Sequence, residues 1–323
     1  MATILITGGT GTIGKALTRL LLQHNHQVII LTRSAPQQRS APAAGIEYAA
    51  WNVEAQTIDA AAVQRADYII HLAGAGVADK RWTSKRKKEI LNSRTQSSAL
   101  LVKALQETPN KVKAIVSASA IGWYGPDPIV PNPKPFEESA PADPGFLGET
   151  CRLWEDSIAP VITLDKRLVI LRTGIVLSNE GGALVAFKKP LRAGIAAILG
   201  SGRQVISWIH VDDLCLMYLR AITDNTMAGV YNAVAPTPVS NKRLTIDLAT
   251  AVRKNFYIPV YVPSFVLKLL LGQMSEEVLR SATVSAAKIR AAGFNFIYPS
   301  LQAALNQLVE NKSQETTPTE GKA

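Results

Sequence analysis

The sequence predicts an α/β protein built on a doubly wound parallel sheet, followed by a smaller α/β substrate domain. Three observations predict this. Short apolar, β-branched runs alternate with helix-period stretches over the first half of the chain, and such alternation builds a parallel sheet with helices on both faces. The first run ends in a glycine-rich turn that opens a helix. From about Gly174 the pattern loosens into short elements and Gly-rich turns (Gly181-Gly182, Gly200-Ser201-Gly202), as in a domain that covers a cleft.

In order, residues 4–7 read as the first strand and 15–24 as a helix, through Ala16, Leu17, Leu20 and Leu21. Residues 28–31, 46–51 and 68–72 supply the next three strands, the last ending in Ala73-Gly74. A long helix covers about 84–106, a strand 114–117, a helix 150–158 and a sixth strand 168–171. Pro126 to Pro144 holds seven prolines, which makes that stretch a loop long enough to be functional. The expected division is a nucleotide-binding domain over 1–173 with later segments returning to it, and a substrate domain over 174–308. The polar residues 309–323 are expected to be a disordered tail.

With 323 residues, 47% of them apolar and 19% charged, the chain can bury a large core and is no disordered segment. Its formal net charge of +10 admits an anionic partner. The one dense basic run, Lys80, Arg81, Lys85, Arg86, Lys87 and Lys88, holds a single aromatic, Trp82. It reads as a solvated helix start near a phosphate-binding mouth, so no nucleic-acid partner is expected. Two cysteines, Cys151 and Cys215, give neither a disulfide framework nor a metal-ligand spacing, and no metal is expected. The chain opens on a strand, without room for a secretory signal. The apolar stretch from Phe265 to Leu271 is broken by Lys268 and too short to span a bilayer. The expected setting is the cytoplasm with no membrane partner. Helices flanking such sheets often pair, which admits a homodimer.

The turn Thr7-Gly8-Gly9-Thr10-Gly11-Thr12-Ile13-Gly14 is chemically a place for a phosphate. Glycine permits a tight turn and close backbone approach, and free N–H groups at a helix N-terminus favour an anion. Between a strand and a helix it points to a Rossmann-type dinucleotide site, the alternative being a tight turn without a ligand. NAD proteins place Asp or Glu about 20 residues past the turn, on the ribose hydroxyls. Here that place reads Leu31-Thr32-Arg33-Ser34. A planar cation flanked by hydroxyls suits a 2′-phosphate, hence NADP(H). On the long helix, Ile90, Arg94, Ser97, Leu101 and Leu105 share a stripe, so Arg94 needs a partner: an internal carboxylate or a cofactor phosphate.

The turn, together with Leu72-Ala73-Gly74, Trp123-Tyr124-Gly125 and the run Trp208 to Asp213, resembles the extended short-chain dehydrogenase/reductases. The stretches 72–82, 92–94 (Asn-Ser-Arg), 146–155 and 292–299 narrow the likeness to the atypical epimerase family proteins, a branch with a C-terminal domain of unknown function. The likeness reaches to about Leu308. It implies an NADP(H)-binding Rossmann domain with a small α/β cap. By it, Gly8, Thr10, Gly11, Thr12, Ile13 and Gly14 hold the diphosphate, and Thr32 and Arg33 the adenosine-phosphate end. Leu72, Ala73 and Gly74 pass under the cofactor, and Glu89, Arg94 and Cys151 face it.

The resemblance also exposes gaps. Extended reductases relay a proton through a Tyr with a Lys four residues later and a nearby Ser or Thr. Leu147 stands at the Tyr, Cys151 at the Lys and Ala120 at the Ser, with Ser119 beside it. Ile206 falls where sugar-nucleotide enzymes place a diphosphate-gripping Arg, with Arg203 close by. The remaining candidates near the nicotinamide are Ser117, Ser119, Tyr124 and His210, of which Tyr124 and Ser119 are taken as catalytic. His210 to Asp213 reads rather as a strand end and helix cap, Asp being a favoured N-cap. The expected function is an NADP(H)-dependent oxidoreductase or epimerase acting on a small carbonyl or alcohol with an unconventional proton donor. The alternative is an NADP(H)-binding regulator without turnover, and a sugar-nucleotide epimerase ranks behind both.

Overall fold

The computed structural model describes residues 1–33 and 43–314. Ser34, beside Arg33, and residues 315–323 of the expected tail lie outside the described residues. The first half supplies β1 (Thr3–Thr7), α1 (Thr12–Gln23), β2 (Gln27–Thr32), β3 (Ile46–Asn52), β4 (Thr57–Ile58) and α2 (Ala60–Arg65). Then come β5 (Tyr68–His71), α3 (Ser84–Glu107), β6 (Ala114–Ala120), α4 (Phe146–Ile158) and β7 (Arg167–Thr173). The second half runs β8 (Ile175–Leu177), α5 (Ala183–Leu191), β9 (Ile195–Leu199), β10 (Val205–Ile206), β11 (Trp208–His210), α6 (Val211–Thr223) and β12 (Gly229–Ala233). It ends with β13 (Val239–Ser240), α7 (Asn241–Arg253), β14 (Ile258–Val262), α8 (Ser264–Leu271), α9 (Met274–Leu279), α10 (Ala287–Ala291) and α11 (Leu301–Gln314).

The main sheet has the order β12-β7-β6-β5-β1-β2-β3-β4. All its pairings are parallel except the antiparallel edge β3–β4. The central strands β1, β2, β5, β6 and β7 are buried on both faces, which is why the sequence shows near-continuous apolar runs there, whereas β3 near the edge alternates buried and exposed residues. On β1, Ile4 and Ile6 enter the core under α1 and α6, whereas Leu5 enters the opposite core under α2 and α3. All three are fully buried, each contributing about 1.5–3 kcal/mol of apolar transfer. The chain winds from β1 outward to β3, then returns to β5 on the other side. That reversal opens a crevice past the carboxyl ends of β1 and β5, where such sheets bind ligands.

Helix α4 starts at Phe146, a turn before the sequence indicates, because Gly145 sits extended at its N-cap. β12 comes from beyond residue 173 and pairs in register with β7. The remaining strands form three small pairs, β8–β11, β9–β14 and β10–β13, around a separate core of Leu184, Leu191, Trp208, Leu244, Leu248 and Leu305.

The proline-rich stretch before α4 has no regular element but is stitched to the C-terminal segment. The buried Asp127 carboxylate accepts from the Ser281 and Thr283 hydroxyls (2.7 Å each) and the Thr283 N–H (2.9 Å), and Phe136 bridges to Val284. Among the described residues, no helix is long and apolar enough to cross a membrane.

Candidate functional site

The crevice is built first by backbone. Gly8 has φ +70°, and a Cβ there would lie 2.9 Å from the Leu72 carbonyl carbon. At Gly14 a Cβ would lie 2.5 Å from the Gly9 Cα. Both places need glycine for the turn to close. The Gly11 N–H donates to the Gly8 carbonyl at 3.0 Å, and α1 begins one residue later. Its N-cap, Gly11, offers no side chain and its first turn carries no acid. Thr10 and Gly11 are exposed. The helix therefore presents bare N–H groups and the positive end of its dipole to the crevice.

A buried relay fixes the opposite wall. The Thr7 hydroxyl accepts from the Leu72 and Ala73 N–H groups, both at 3.1 Å. Its own proton must then go to His71 Nδ1, 2.7 Å away. Nδ1 being an acceptor, Nε2 carries the proton and donates to Ser98 at 3.1 Å. Burial, with Arg94 adding to it, depresses the His71 pKa to about 3, so the ring stays neutral. Leu72 and Ala73 are thereby held beside Gly8.

Arg33 follows β2 and is exposed, while Thr32, the last residue of β2, is buried. Arg94 is half-buried. Its Nη1 donates to the Ala75 and Ile90 carbonyls at 3.0 and 2.9 Å, and the guanidinium lies 4.9 Å over the Trp154 ring. Burial lowers its pKa. Among the described residues it makes no ion pair, so the internal-carboxylate alternative for its stripe position fails. A Cβ on Gly74 would lie 3.1 Å from its Cζ, so that glycine lets the guanidinium reach the crevice. Glu89, on the same helix five residues before Arg94, is exposed and paired with Arg86 at 2.7 Å.

The expected catalytic groups are shut away. Tyr124 is buried, and its hydroxyl donates to Asn232 Oδ1 at 2.7 Å while accepting from Arg172 Nη1 at 3.2 Å. Burial raises its pKa. Ser119 donates to Glu155 Oε1 at 2.6 Å, and Arg172 grips both oxygens of Glu155 at 2.9 Å. The Arg172 guanidinium also stacks 3.5 Å over the Trp123 ring. Tyr124 and Ser119, expected to be catalytic, thus both have internal hydrogen-bond partners in this structure. A buried cation-carboxylate pair draws the free hydroxyls inward, since its oxygens and N–H groups cannot be left unpaired. Ser117 is buried too, its hydroxyl on the Ala118 carbonyl.

Cys151, in the place of the usual Lys, is buried with Sγ 3.6 Å from the Ala120 carbonyl oxygen. Burial, and Glu155 after it, push its pKa up to about 12, so it is a neutral thiol. Leu147, at the Tyr place, packs against Gly122.

His210 caps α6: Nδ1 accepts from the Asp212 N–H at 3.1 Å, and Nε2 meets Gln307 Oε1 at 2.9 Å. The cap is thus the imidazole, not an aspartate. Asp213 instead accepts from the Ile297 and Tyr298 N–H groups at 2.7 and 3.0 Å, strapping the C-terminal segment. Ile206, at the diphosphate-Arg place, is half-buried in β10, and Arg203 is exposed.

One wall escaped the sequence. The loop between β8 and α5 brings Gly181 against the Thr12 hydroxyl at the start of α1, and Glu180 pairs with Arg19 of α1. The Gly181-Gly182 doublet signals a turn but not its neighbour. Among the described residues no cluster of three or more His, Cys, Asp or Glu could hold a metal.

The model of the NAD dependent epimerase/dehydratase family matches residues 4–148, and that of a domain of unknown function matches residues 262–308. An epimerase family protein of Staphylococcus saprophyticus is 38% identical over 94% of this chain and 98% of its own length. One from Staphylococcus aureus is 36% identical over 96% of this chain and 100% of its own. The crystal structure of human epimerase family protein SDR39U1 (isoform 2) with NADPH superposes with a TM-score of 0.82 at 29% identity, covering 96% and 99% of the two chains. By its sequence relatives and its fold, this chain belongs to the epimerase family proteins, an atypical NAD(P)-binding branch of the extended short-chain dehydrogenase/reductases.

Proposed function

We propose that the chain binds NADP(H) in the crevice and acts as an oxidoreductase or epimerase on a small carbonyl or alcohol without the usual Ser–Tyr–Lys relay. One observation carries the cofactor choice: Arg33 and the carboxylate-free Arg94 flank an uncapped helix N-terminus. A phosphate-rich ligand satisfies all three, and a 2′-phosphate gives Arg33 a bidentate partner. The human relative's structure with NADPH supports the same reading. Two buried free thiols, Cys151 and Cys215, suit a reducing cytoplasm.

A second reading, an NADP(H)-binding regulator without turnover, is favoured by the closure of Ser117, Ser119, Tyr124 and His210 into internal hydrogen bonds. A sugar-nucleotide epimerase has the least support, with Ile206 where a diphosphate grip belongs. Calorimetric titration with NADPH, NADP and NADH tests the cofactor; NADH binding as tightly as NADPH sinks it. Loss of absorbance from protein-bound NADPH across a panel of aldehydes and ketones then separates the two readings. Turnover of any of them removes the regulator reading, and none across the panel favours it.

A further inference from the structure

The wall that the β8–α5 loop adds to the crevice meets α1 in two places, and the two contacts differ in kind. A Cβ on Gly181 would lie 2.5 Å from the hydroxyl oxygen of Thr12, the first residue of the helix, so a side chain there would force the loop or Thr12 to shift. Glu180 pairs with Arg19, seven residues on from Thr12 and so two turns along the same side, about 10 Å away. The first contact is a close approach of backbone. The second is an ion pair in water, its side chains 38% exposed at Glu180 and 59% at Arg19, and such pairs are weak. The ends of the loop are held more firmly. Ser178 is buried, and Asn179 Nδ2 donates to the Leu308 carbonyl of α11 at 2.8 Å. At the exit Gly182 has φ +73°, a conformation that suits glycine, and α5 begins at the next residue.

We propose that residues 180–182 form a gate on the diphosphate end of the crevice, hinged at the Gly181-Gly182 doublet and latched by Glu180 on Arg19, a proposal that rests on the NADP(H) reading of that crevice. Thr12 opens the helix whose bare N–H groups that reading gives to the diphosphate. Thr10 and Gly11 stay exposed beside it, so the gate narrows the mouth from the Thr12 side. Hinges of this kind are a few loop residues next to a fixed element, and their opening sets how fast a ligand leaves. Both closing contacts run between protein groups, Gly181 to Thr12 and Glu180 to Arg19. The latch therefore favours the closed position to the same extent with ligand and without it. A weaker latch opens the gate in both states, which raises entry and exit rates together and leaves affinity nearly unchanged.

Stopped-flow fluorescence of NADPH uptake by the full chain, and of its release into excess NADP, tests this with Glu180→Gln, Gly181→Val and the exchanged pair Arg19→Glu/Glu180→Arg. Glu180→Gln should speed uptake and release alike, about two- to fivefold. Gly181→Val, which wedges the loop off Thr12, should speed both at least as much. The dissociation constant should stay within about twofold in each. The exchanged pair remakes the latch and should return to wild-type rates, which a merely structural fault would not. Should Gly181→Val fold poorly, the other two variants carry the test. Wild-type rates in the single variants overturn the proposal. So does faster release with unchanged uptake, which marks a binding wall and not a gate. A wild type that takes up no NADPH in calorimetry breaks the cofactor reading instead, and hydrogen exchange then decides the gate by itself. Amides of residues 11–16 and 180–183 are expected to exchange faster together in Glu180→Gln, and no change at 11–16 overturns the gate.

Discussion

The two ends of the crevice are built on opposite principles. At the β1–α1 end the polar groups are left open: the helix has no side-chain cap, Arg33 is exposed, and among the described residues Arg94 pairs with no carboxylate. At the β6–α4 end, where short-chain reductases keep their relay, the polar groups are closed on one another. Ser119, Glu155, Arg172, Tyr124 and Asn232 form a buried chain with every link under 3.3 Å. Open polar groups are costly unless a ligand arrives; closed ones serve stability. Under the proposed function, the open end would hold the dinucleotide while the closed end serves the fold.

The difference breaks most visibly at the closed end. Glu155→Ala strands the buried Arg172 cation and should cost about 3–5 kcal/mol in denaturant unfolding. Retention of wild-type stability would mean that the pair is not structural. At the open end, Gly14→Val should lower NADPH affinity by about 100-fold or more in calorimetry, because a side chain there collides with Gly9. Circular dichroism checks that the variant is folded.

Acid sharpens the contrast through His71. Its folded pKa of about 3 lies below the ordinary 6.5, so the unfolded chain binds the extra proton. Its contribution is complete above pH ~6.5 and is lost as pH falls from there toward 3, at up to about 1.4 kcal/mol per pH unit. A His71→Gln variant should show a shallower loss across that window in pH-dependent unfolding. The smallest effect belongs to Tyr124→Phe, which removes the two buried hydrogen bonds of its hydroxyl, to Asn232 and from Arg172, and should cost about 1–3 kcal/mol of stability.

The open end was legible in the sequence because its signals are local. Glycine spacing, the strand before it and Arg33 nineteen residues past Gly14 all lie along one stretch of chain, and Arg94 declared itself by breaking an apolar stripe. The closed end was not. Arg172 and Glu155 meet only when β7 packs beside α4, and Tyr124 finds Asn232 across 108 residues. Nothing in the Trp123-Tyr124-Gly125 motif tells which way the hydroxyl turns. β4 and α2 were missed because two and six residues carry too little periodicity to register. The His210 cap was misassigned to Asp because propensity ranks residue types without seeing the imidazole turned back onto its own helix.

Separation of binding from chemistry is tested most directly by titrating NADPH into Arg33→Asp and Tyr124→Phe side by side. Arg33→Asp should lose at least tenfold in affinity and gain relative preference for NADH, while Tyr124→Phe stays within twofold of the wild type. Equal losses in the two variants, or none in Arg33→Asp, would contradict the separation.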